Sequence, residues 1–193
     1  MRNSDATKER ILEAAMAEFS AFGIAGARVD RIAKNAGCNK NLIYIYFENK
    51  ETLFSTFLQK HLSRVYEDIA FTPENLPGYA MRAFDYTMAN PDLMRLMSWF
   101  SLEQKIENPA ERRDLQDKKL AALLEAQNSG EIGSAFSPGF ILATTMTLAT
   151  AWTAANPFGN TIYPEAVQNM DALRTAIGTA VKVITQAEPG NHT

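Results

Sequence analysis

Residues 29–47, VDRIAKNAGCNKNLIYIYF, constrain the fold of this chain more than any other stretch. Their apolar residues recur at helical spacing on both sides of the short segment Ala36-Gly37-Cys38. The glycine of that segment can take the left-handed conformation that ends a helix, and Asn39 can cap a second helix by accepting a backbone N–H. The stretch therefore predicts two short helices, at residues 29–35 and from residue 40 to about 47, joined by a tight turn.

A helix-turn-helix of this kind indicates DNA binding, because its second helix can enter the major groove. The net charge of −3 argues against such a function, but the charge is unevenly distributed. Residues 1–50 carry 8 Lys and Arg against 6 Asp and Glu, so about +2, whereas the rest of the chain stands at about −5. Only the first segment has to face phosphates, so an acidic remainder is compatible with a DNA-binding protein.

The rest of the chain also has the pattern of helices, separated by breaks that contain Pro, Gly or Asn. There is no convincing strand pattern and no internal repeat, so the sequence predicts an all-α protein of about nine helices. A three-helix N-terminal domain (residues 1–50) would carry the helix-turn-helix. Residues 51–193 would form a second helical domain, linked to the first by a helix at 50–69. After a polar arm at residues 1–7 that should fray, the helices are expected at about 7–21, 29–35, 40–47, 50–69, 78–89, 91–107, 109–128, 140–155 and 164–186.

The single cysteine, Cys38, excludes an intrachain disulfide, and the N-terminus shows no secretory signal. We therefore expect a cytoplasmic location. Cys38 lies in the predicted turn, where it either packs as a small apolar residue or serves as an oxidation sensor.

Residues 132–164 contain no charged residue, which makes a membrane span the first alternative to consider. The apolar part, residues 140–155, is 16 residues long and holds five threonines, whereas a span needs about 20 apolar residues. We therefore expect a buried helix there.

The two histidines, His61 and His192, stand far apart, and the chain has no metal-ligand motif, Gly-rich phosphate loop or nucleophile elbow. We expect no enzymatic activity, no cofactor and no metal site.

The N-terminal region resembles the TetR (tetracycline-repressor-like) family of bacterial transcription regulators. The resemblance covers about residues 8–58 and rests on the combined pattern I-A-x-x-A-G…Y-x-Y-F-x-x-K-x-x-L. It implies a regulator whose second motif helix enters the major groove. We expect this regulator to be a repressor that binds a palindromic operator as a dimer. The positions that carry it are Ile11, Ala14, Ala15, Phe19, Gly23, Val29, Ile32, Ala33, Ala36, Gly37, Ile43, Tyr44, Tyr46, Phe47, Lys50, Glu51 and Leu53.

The resemblance also implies which residues contact DNA. In the family, the tyrosine that matches Tyr44 and the lysine that matches Lys50 touch phosphates, and Ile45 falls on or near the same face of the second helix. Asn41 can bond an adenine edge bidentately, and Lys40 can reach guanine O6 or N7. The predicted DNA-binding set is Arg28, Asn39, Lys40, Asn41, Tyr44, Tyr46 and Lys50.

Three departures from the family pattern bear on this set. Cys38-Asn39 stands where Val-Ser or Val-Thr is usual, and Asn39 keeps the capping function. Asn41-Leu42 stands where Gly-Thr is common, so base readout should differ from that of better-known members. Arg28 replaces a capping threonine. It cannot accept a backbone N–H, but it can hold a phosphate.

The middle of the chain mixes methionines with aromatic residues, a composition that fits either an ordinary core or an apolar pocket. The resemblance implies an effector cavity here. We expect a small, mostly apolar effector to be bound by some of Phe84, Met88, Met97, Trp99, Phe100, Leu123, Thr147, Ala151 and Trp152. Two alternatives stay open: a DNA-binding dimer that is effector-independent or gated by a protein, and a small helical enzyme or lipid carrier that uses the same cavity.

The last two predicted helices carry a seam of apolar residues at helical spacing. We expect helices 140–155 and 164–186 to pair with their copies in a twofold dimer, as a four-helix bundle. A purely intrachain core is the alternative. Such a dimer would present two copies of the second motif helix, the reading helix, to half-sites about 34 Å apart. The seam consists of Ala166, Met170, Leu173, Ile177, Ala180 and Ile184.

Overall fold

A computed structural model describes residues 2–57, 60, 69–103, 110–156 and 158–189. Within these ranges the chain is all-helical, as predicted, with ten α-helices, two short 3₁₀ helices and no strand. The α-helices are α1 (Arg2–Gly26), α2 (Val29–Asn35), α3 (Lys40–Phe47), α4 (residues 50–57), α5 (Leu76–Ala89), α6 (Pro91–Glu103), α7 (Ala110–Asn128), α8 (Pro138–Thr150), α9 (Phe158–Ile162) and α10 (Met170–Thr185). The 3₁₀ helices are Pro73–Asn75 and Pro164–Gln168.

Both ends of α1 differ from the prediction. The frayed arm expected at residues 1–7 is wrong, since α1 begins at Arg2 and Asp5 in its first turn complements the helix dipole. The predicted end at about residue 21 is close to Gly23, which breaks the helix with a φ of 66°, but one further turn reaches Gly26.

Two predicted helices are shorter or divided. The helix expected at 140–155 ends at Thr150, and the turn after it leads into the unpredicted α9, whose start is fixed by Asn156 Oδ1 accepting the Phe158 N–H at 3.0 Å. The helix expected at 164–186 is a 3₁₀ turn followed by α10, because the Asn169 side chain caps α10 by accepting the Ala172 N–H at 3.1 Å. Of the helix predicted at 50–69, residues 58, 59 and 61–68 lie outside the described part of the chain.

The helices divide into two compact units. The first contains α1–α4 together with α6, and the second contains α5 and α7–α10. Helix α6 joins the first unit because it packs along α1, where the Trp99 indole N–H donates to Ser20 O at 3.2 Å. The core of this unit has Phe19 and Phe54 edge-to-face at 5.1 Å. Around them, fully buried, lie Ile11, Ile32, Ile43, Leu53, Phe57 and Leu96.

The second unit is organised around α5, which packs against both α8 and α10. Thr87 Oγ1 donates to Ala149 O at 3.1 Å, which satisfies a buried hydroxyl between α5 and α8. Gly178 of α10 lies close to Met81 of α5, since a Cβ added at position 178 would lie 3.0 Å from the Met81 sulfur. Part of the predicted dimer seam is therefore used inside the chain, since Leu173 and Ile177 are buried in this unit.

Candidate nucleic-acid interface

The turn between α2 and α3 is built by local hydrogen bonds. Gly37 has a φ of 61°, its N–H donates to Lys34 O at 3.2 Å, and the Cys38 N–H donates to Ala33 O at 3.0 Å. These two bonds form a Schellman motif, which closes α2 and turns the chain. Asn39 Oδ1 then accepts the Asn41 N–H at 2.9 Å, so the predicted cap of α3 is confirmed.

The start of α2 is held by a residue that the sequence reading missed. Glu18 of α1 is only 3% exposed, and its Oε1 accepts the Arg28 backbone N–H at 2.8 Å. Arg31 Nε donates to the two carboxylate oxygens of Glu18 at 2.8 and 3.0 Å. Arg28 contributes only its backbone to this start, because its side chain makes no cap hydrogen bond.

Charge and hydrogen bonding decide the ionisation of this buried carboxyl. Burial by itself would raise the pKa of Glu18, but hydrogen bonds from the Arg31 side chain and the Arg28 N–H outweigh it and hold the pKa below the usual glutamate range. Arg31 also donates to Gly26 O at 3.1 Å and lies over the Phe22 ring, 4.2 Å from its centroid. The pair fixes α2, and with it the turn, on α1.

A signal for Glu18 exists in the sequence, although it is indirect. Ile11, Ala15 and Phe19 form the buried stripe of α1, and Glu18 adjoins that stripe at helical spacing from Ile11 and Ala15. A glutamate among buried residues needs a cationic or hydrogen-bonding partner. Arg10 is a second missed residue, since its Nε donates to Ala36 O at 3.2 Å and connects α1 to the turn.

Helix α3 has one buried and one exposed face. Ile43 and Phe47 are buried, whereas Asn41, Tyr44 and Ile45 are exposed. The exposed fraction is 44% for Tyr44 and 71% for Ile45. Helix α3 therefore has an exposed face with polar and apolar side chains. No other described residue of its own unit covers this face.

Tyr46 is more sheltered than the prediction implied. It is half-buried, and the Lys8 ammonium lies 5.4 Å from its ring centroid. Lys8 is a further cation beside α3 that the sequence reading did not include. It comes from α1, far away in the sequence.

The two predicted lysines already have partners. Lys40 Nζ lies 2.9 Å from Asp30 Oδ1 and 3.1 Å from Asp30 Oδ2, and the hydrogen bond that Lys40 donates to Asp30 raises the pKa of Lys40, so it stays charged. Lys50 Nζ donates to Ala27 O at 3.3 Å, at the start of α4. A phosphate or base edge that binds either lysine has to replace or share these contacts.

The residues predicted to line an effector pocket do not lie in one unit. Met97 and Trp99 lie on α6 with the helix-turn-helix, and Trp99 is bonded to α1 as described above. The side chain of Phe100 is outside the described residues. The members in the second unit are Phe84 and Met88 of α5, Leu123 of α7, Thr147 of α8, and Ala151 and Trp152 just after α8.

Within the second unit these members differ in exposure. Phe84 and Leu123 are almost completely buried, whereas Thr147 is exposed. The Trp152 indole N–H donates to Tyr163 O at 3.2 Å. An open, shallow groove of about 750 Å³ runs instead along the exposed face of α10, lined by Asn169, Asp171, Ala172, Thr175, Ala176, Thr179 and Ala180.

Neither a metal-binding cluster nor a membrane-spanning helix is found among the described residues. No group of His, Cys, Asp and Glu in that part of the chain could hold a metal ion. No helix there is long and apolar enough to cross a membrane.

Two family models match the chain. Residues 11–56 match the model described as bacterial regulatory proteins, tetR family, and residues 75–182 match the tetracyclin repressor-like C-terminal domain. The HTH-type transcriptional repressor SCO4008 of Streptomyces coelicolor is 38% identical over 159 residues, which cover 81% of this chain and 82% of that protein. The HTH-type transcriptional repressor NicS of Pseudomonas putida is 29% identical over 111 residues, 53% of this chain and 52% of NicS.

A solved structure agrees with these matches along almost the whole chain. The crystal structure of SCO4942 from Streptomyces coelicolor superposes with a TM-score of 0.81 at 37% sequence identity. The superposition covers 92% of this chain and 97% of SCO4942.

Proposed function

The chain belongs to the TetR family of bacterial transcriptional regulators, and on that premise we propose that it is a repressor that binds a palindromic operator as a twofold dimer. A small, mostly apolar effector would release it from the DNA. Both matched domains belong to regulators and not to enzymes. The observation that carries the proposal is the exposed face of α3, held at a fixed angle by the Schellman turn and the Glu18–Arg31 pair.

DNA binding would use this face together with the cations around it. Asn41 is exposed and free to meet an adenine edge, and the Tyr44 hydroxyl can donate to a phosphate oxygen. Lys50 stands at the N-terminus of α4, where the helix dipole also favours an anion. Arg28 is exposed beside α2 and adds a further positive charge. Because these cations would displace counterions from DNA, affinity should fall steeply with salt.

Dimerisation would use the exposed sides of α8 and α10. Phe140 of α8 and Val183 of α10 are large apolar residues that are exposed in the single chain. The groove along α10 is lined by small residues such as Ala172 and Ala176, which let a second helix approach closely. A twofold axis beside these helices would give two copies of α3 for the two half-sites.

The effector would bind in the second unit, among the predicted residues that lie there: Phe84, Met88, Leu123, Thr147, Ala151 and Trp152. Its action is a population shift, so it must bind the released conformation more tightly than the DNA-bound one. The predicted linking helix at 50–69 is the element that would pass the change to α3. The protein would act in the bacterial cytoplasm, on nucleoid DNA.

The test begins with selection of operator DNA from a pool of random duplexes. We expect a palindromic site whose affinity for the protein exceeds that of a scrambled duplex by a factor of about 10³ or more, and whose binding falls with salt. Asn41→Ala and Tyr44→Phe should weaken operator binding, whereas Gln116→Ala, on an exposed position of α7, should not.

Release is tested on the same complex with flat aromatic and aliphatic compounds, read by fluorescence anisotropy and by thermal shift. A compound that stabilises the protein and releases the operator supports the proposal. Operator binding that no compound changes favours the effector-independent or protein-gated dimer. Equal affinity for selected and scrambled DNA would contradict the repressor and favour a helical carrier or enzyme.

A further inference from the structure

We propose that Ile45 reads the methyl group of a thymine in each operator half-site, one helical turn along α3 from the base that Asn41 contacts. This inference rests on the proposed binding of operator DNA. It adds a specificity-determining residue and the chemical group that this residue recognises.

The exposure of Ile45 is not explained by the fold of its own unit. Its side chain is 71% exposed, while Ile43 and Phe47 on the opposite side of α3 are buried and hold the helix in place. A β-branched residue also forms helix less well than most straight-chain residues. Neither packing nor helix propensity therefore accounts for isoleucine at this position.

The residues around Ile45 have the chemistry of a surface that binds DNA. Exposed Asn41 precedes it by four residues and exposed Tyr44 adjoins it, and Lys40 supplies a cation at the start of the same helix. This combination of positive charge, amide and hydroxyl matches a polyanion that presents hydrogen-bonding edges. The apolar group that such a polyanion displays in its major groove is the C5-methyl of thymine.

Spacing along the helix predicts where that thymine stands. Side chains four residues apart on a helix have Cβ atoms about 5–6 Å from each other. Successive base pairs rise about 3.4 Å per step. Asn41 and Ile45 can therefore address base pairs that lie one or two steps apart. We expect each half-site to contain an adenine and a thymine at that separation.

The experiment is a double-mutant cycle between protein and DNA. The operator is first selected with the wild-type protein, and each of its thymines is then replaced in turn by deoxyuridine, which removes only the methyl group. Affinities are measured by fluorescence anisotropy for the wild type and for Ile45→Ala. At one thymine per half-site we expect the wild type to lose about 4-fold in affinity, from the transfer of one methyl group. Ile45→Ala should bind the parent operator more weakly and be indifferent to that same replacement.

A control variant separates methyl recognition from a general effect on α3. Tyr44→Phe loses a hydroxyl on the same face and should retain the full sensitivity to deoxyuridine. Circular dichroism melting of Ile45→Ala verifies that the variant is folded.

Three outcomes would overturn the inference: equal deoxyuridine effects in the wild type and in Ile45→Ala, no deoxyuridine effect at any thymine, or a DNA affinity that Ile45→Ala leaves unchanged. Failure of the proposed function is recognised separately, as equal affinity of the wild type for selected and scrambled duplexes.

Discussion

At the scale of single residues, the binding surface depends on charged side chains that already form ion pairs within the chain. Glu18 is the clearest case, because one buried carboxylate accepts hydrogen bonds from the start of α2 and from Arg31. Asp30 is a second case, since it holds Lys40 at the first residue of the reading helix. Both acids lie among groups that we expect to approach DNA. Glu18 holds the start of α2 in place, whereas Asp30 pairs with Lys40.

Replacing Glu18 by Gln should lower the free energy of unfolding by about 1–2 kcal/mol, because charge-assisted hydrogen bonds become neutral ones. Glu13→Gln, at an exposed position of the same helix, is the control and should have little effect. Thermal or urea unfolding at neutral pH measures the difference. If both variants lost the same stability, the Glu18 pair would not be the cause.

The stabilisation by Glu18 should also depend on pH. Its pKa is lowered in the folded protein, so the unfolded chain binds the proton first as the pH falls. The contribution is fully present above the ordinary glutamate pKa of about 4.3 and is lost as the pH falls through the lower folded value. The stability difference between the wild type and Glu18→Gln should therefore shrink on acidification, and a constant difference would contradict this assignment.

Asp30→Asn should strengthen binding to any duplex, because Lys40 is released and a negative charge beside the reading helix is removed. We expect a few-fold gain at low salt and a slope of log affinity against log salt that is steeper by up to about 1. Glu13→Gln removes the same charge from an exposed position and is the control. A gain of equal size in both variants would mean that net charge alone is responsible.

At the scale of elements, two local backbone features, a turn and a helix cap, position the reading helix α3. The Schellman turn at Gly37 ends α2, and the Asn39 cap starts α3 only two residues later. The angle between the helices is thus fixed by residues adjacent in sequence. The contacts of α1 with the turn, through Arg10 and Glu18, then orient the pair as a whole.

Gly37→Ala should destabilise the protein by about 1–2 kcal/mol, through backbone strain alone. The φ of Gly37 is 61°, yet an added Cβ would meet no atom within 4 Å, so no steric clash contributes. Gly139→Ala is the matched control, since its Cβ also meets nothing within 4 Å and its φ is not positive. That variant should be stabilised by a few tenths to about 1 kcal/mol. Loss of stability in both would show that φ is not the deciding factor.

At the scale of the whole molecule, the two sides of α10 have different surroundings. Leu173, Ile177 and Val181 are buried within the chain, where α10 packs mainly on α5. The side that carries Ala176 and Val183 is exposed and is the face that we propose for the partner copy. The chain therefore folds around one side of α10 and leaves the other side exposed, and this exposed side is the one that we propose for assembly.

Ala176→Arg should convert the proposed dimer to a monomer, because a long charged side chain would be buried at the small-residue face. Operator affinity should fall by a factor of about 10² or more, since the two reading helices would no longer be linked. Gln116→Arg adds the same charge at an exposed position of α7 and serves as the control. Sedimentation velocity at micromolar concentration gives the mass, and an Ala176→Arg protein that stayed dimeric would contradict the proposed interface.

The sequence by itself determined the parts of this protein that depend on neighbouring residues. Gly37 and Asn39 were sufficient to predict the turn and the cap of α3, because their hydrogen bonds join residues that lie within about two helical turns of each other. The all-helical composition follows from the same local patterns. The family resemblance rests on sequence positions as well, among them Ile32, Gly37 and Phe47 of the helix-turn-helix.

The tertiary structure alone decided which distant residues meet. Arg31 is 13 residues from Glu18, and Ser20 is 79 residues from Trp99, so neither contact leaves a local pattern. The assignment of α6 to the first unit, and of one side of α10 to α5, likewise depends on how whole helices pack. Periodicity shows which face of a helix will be buried. The hydrophobic effect is not directional, so the periodicity does not show which other helix covers that face. Only the packed chain determines that partner.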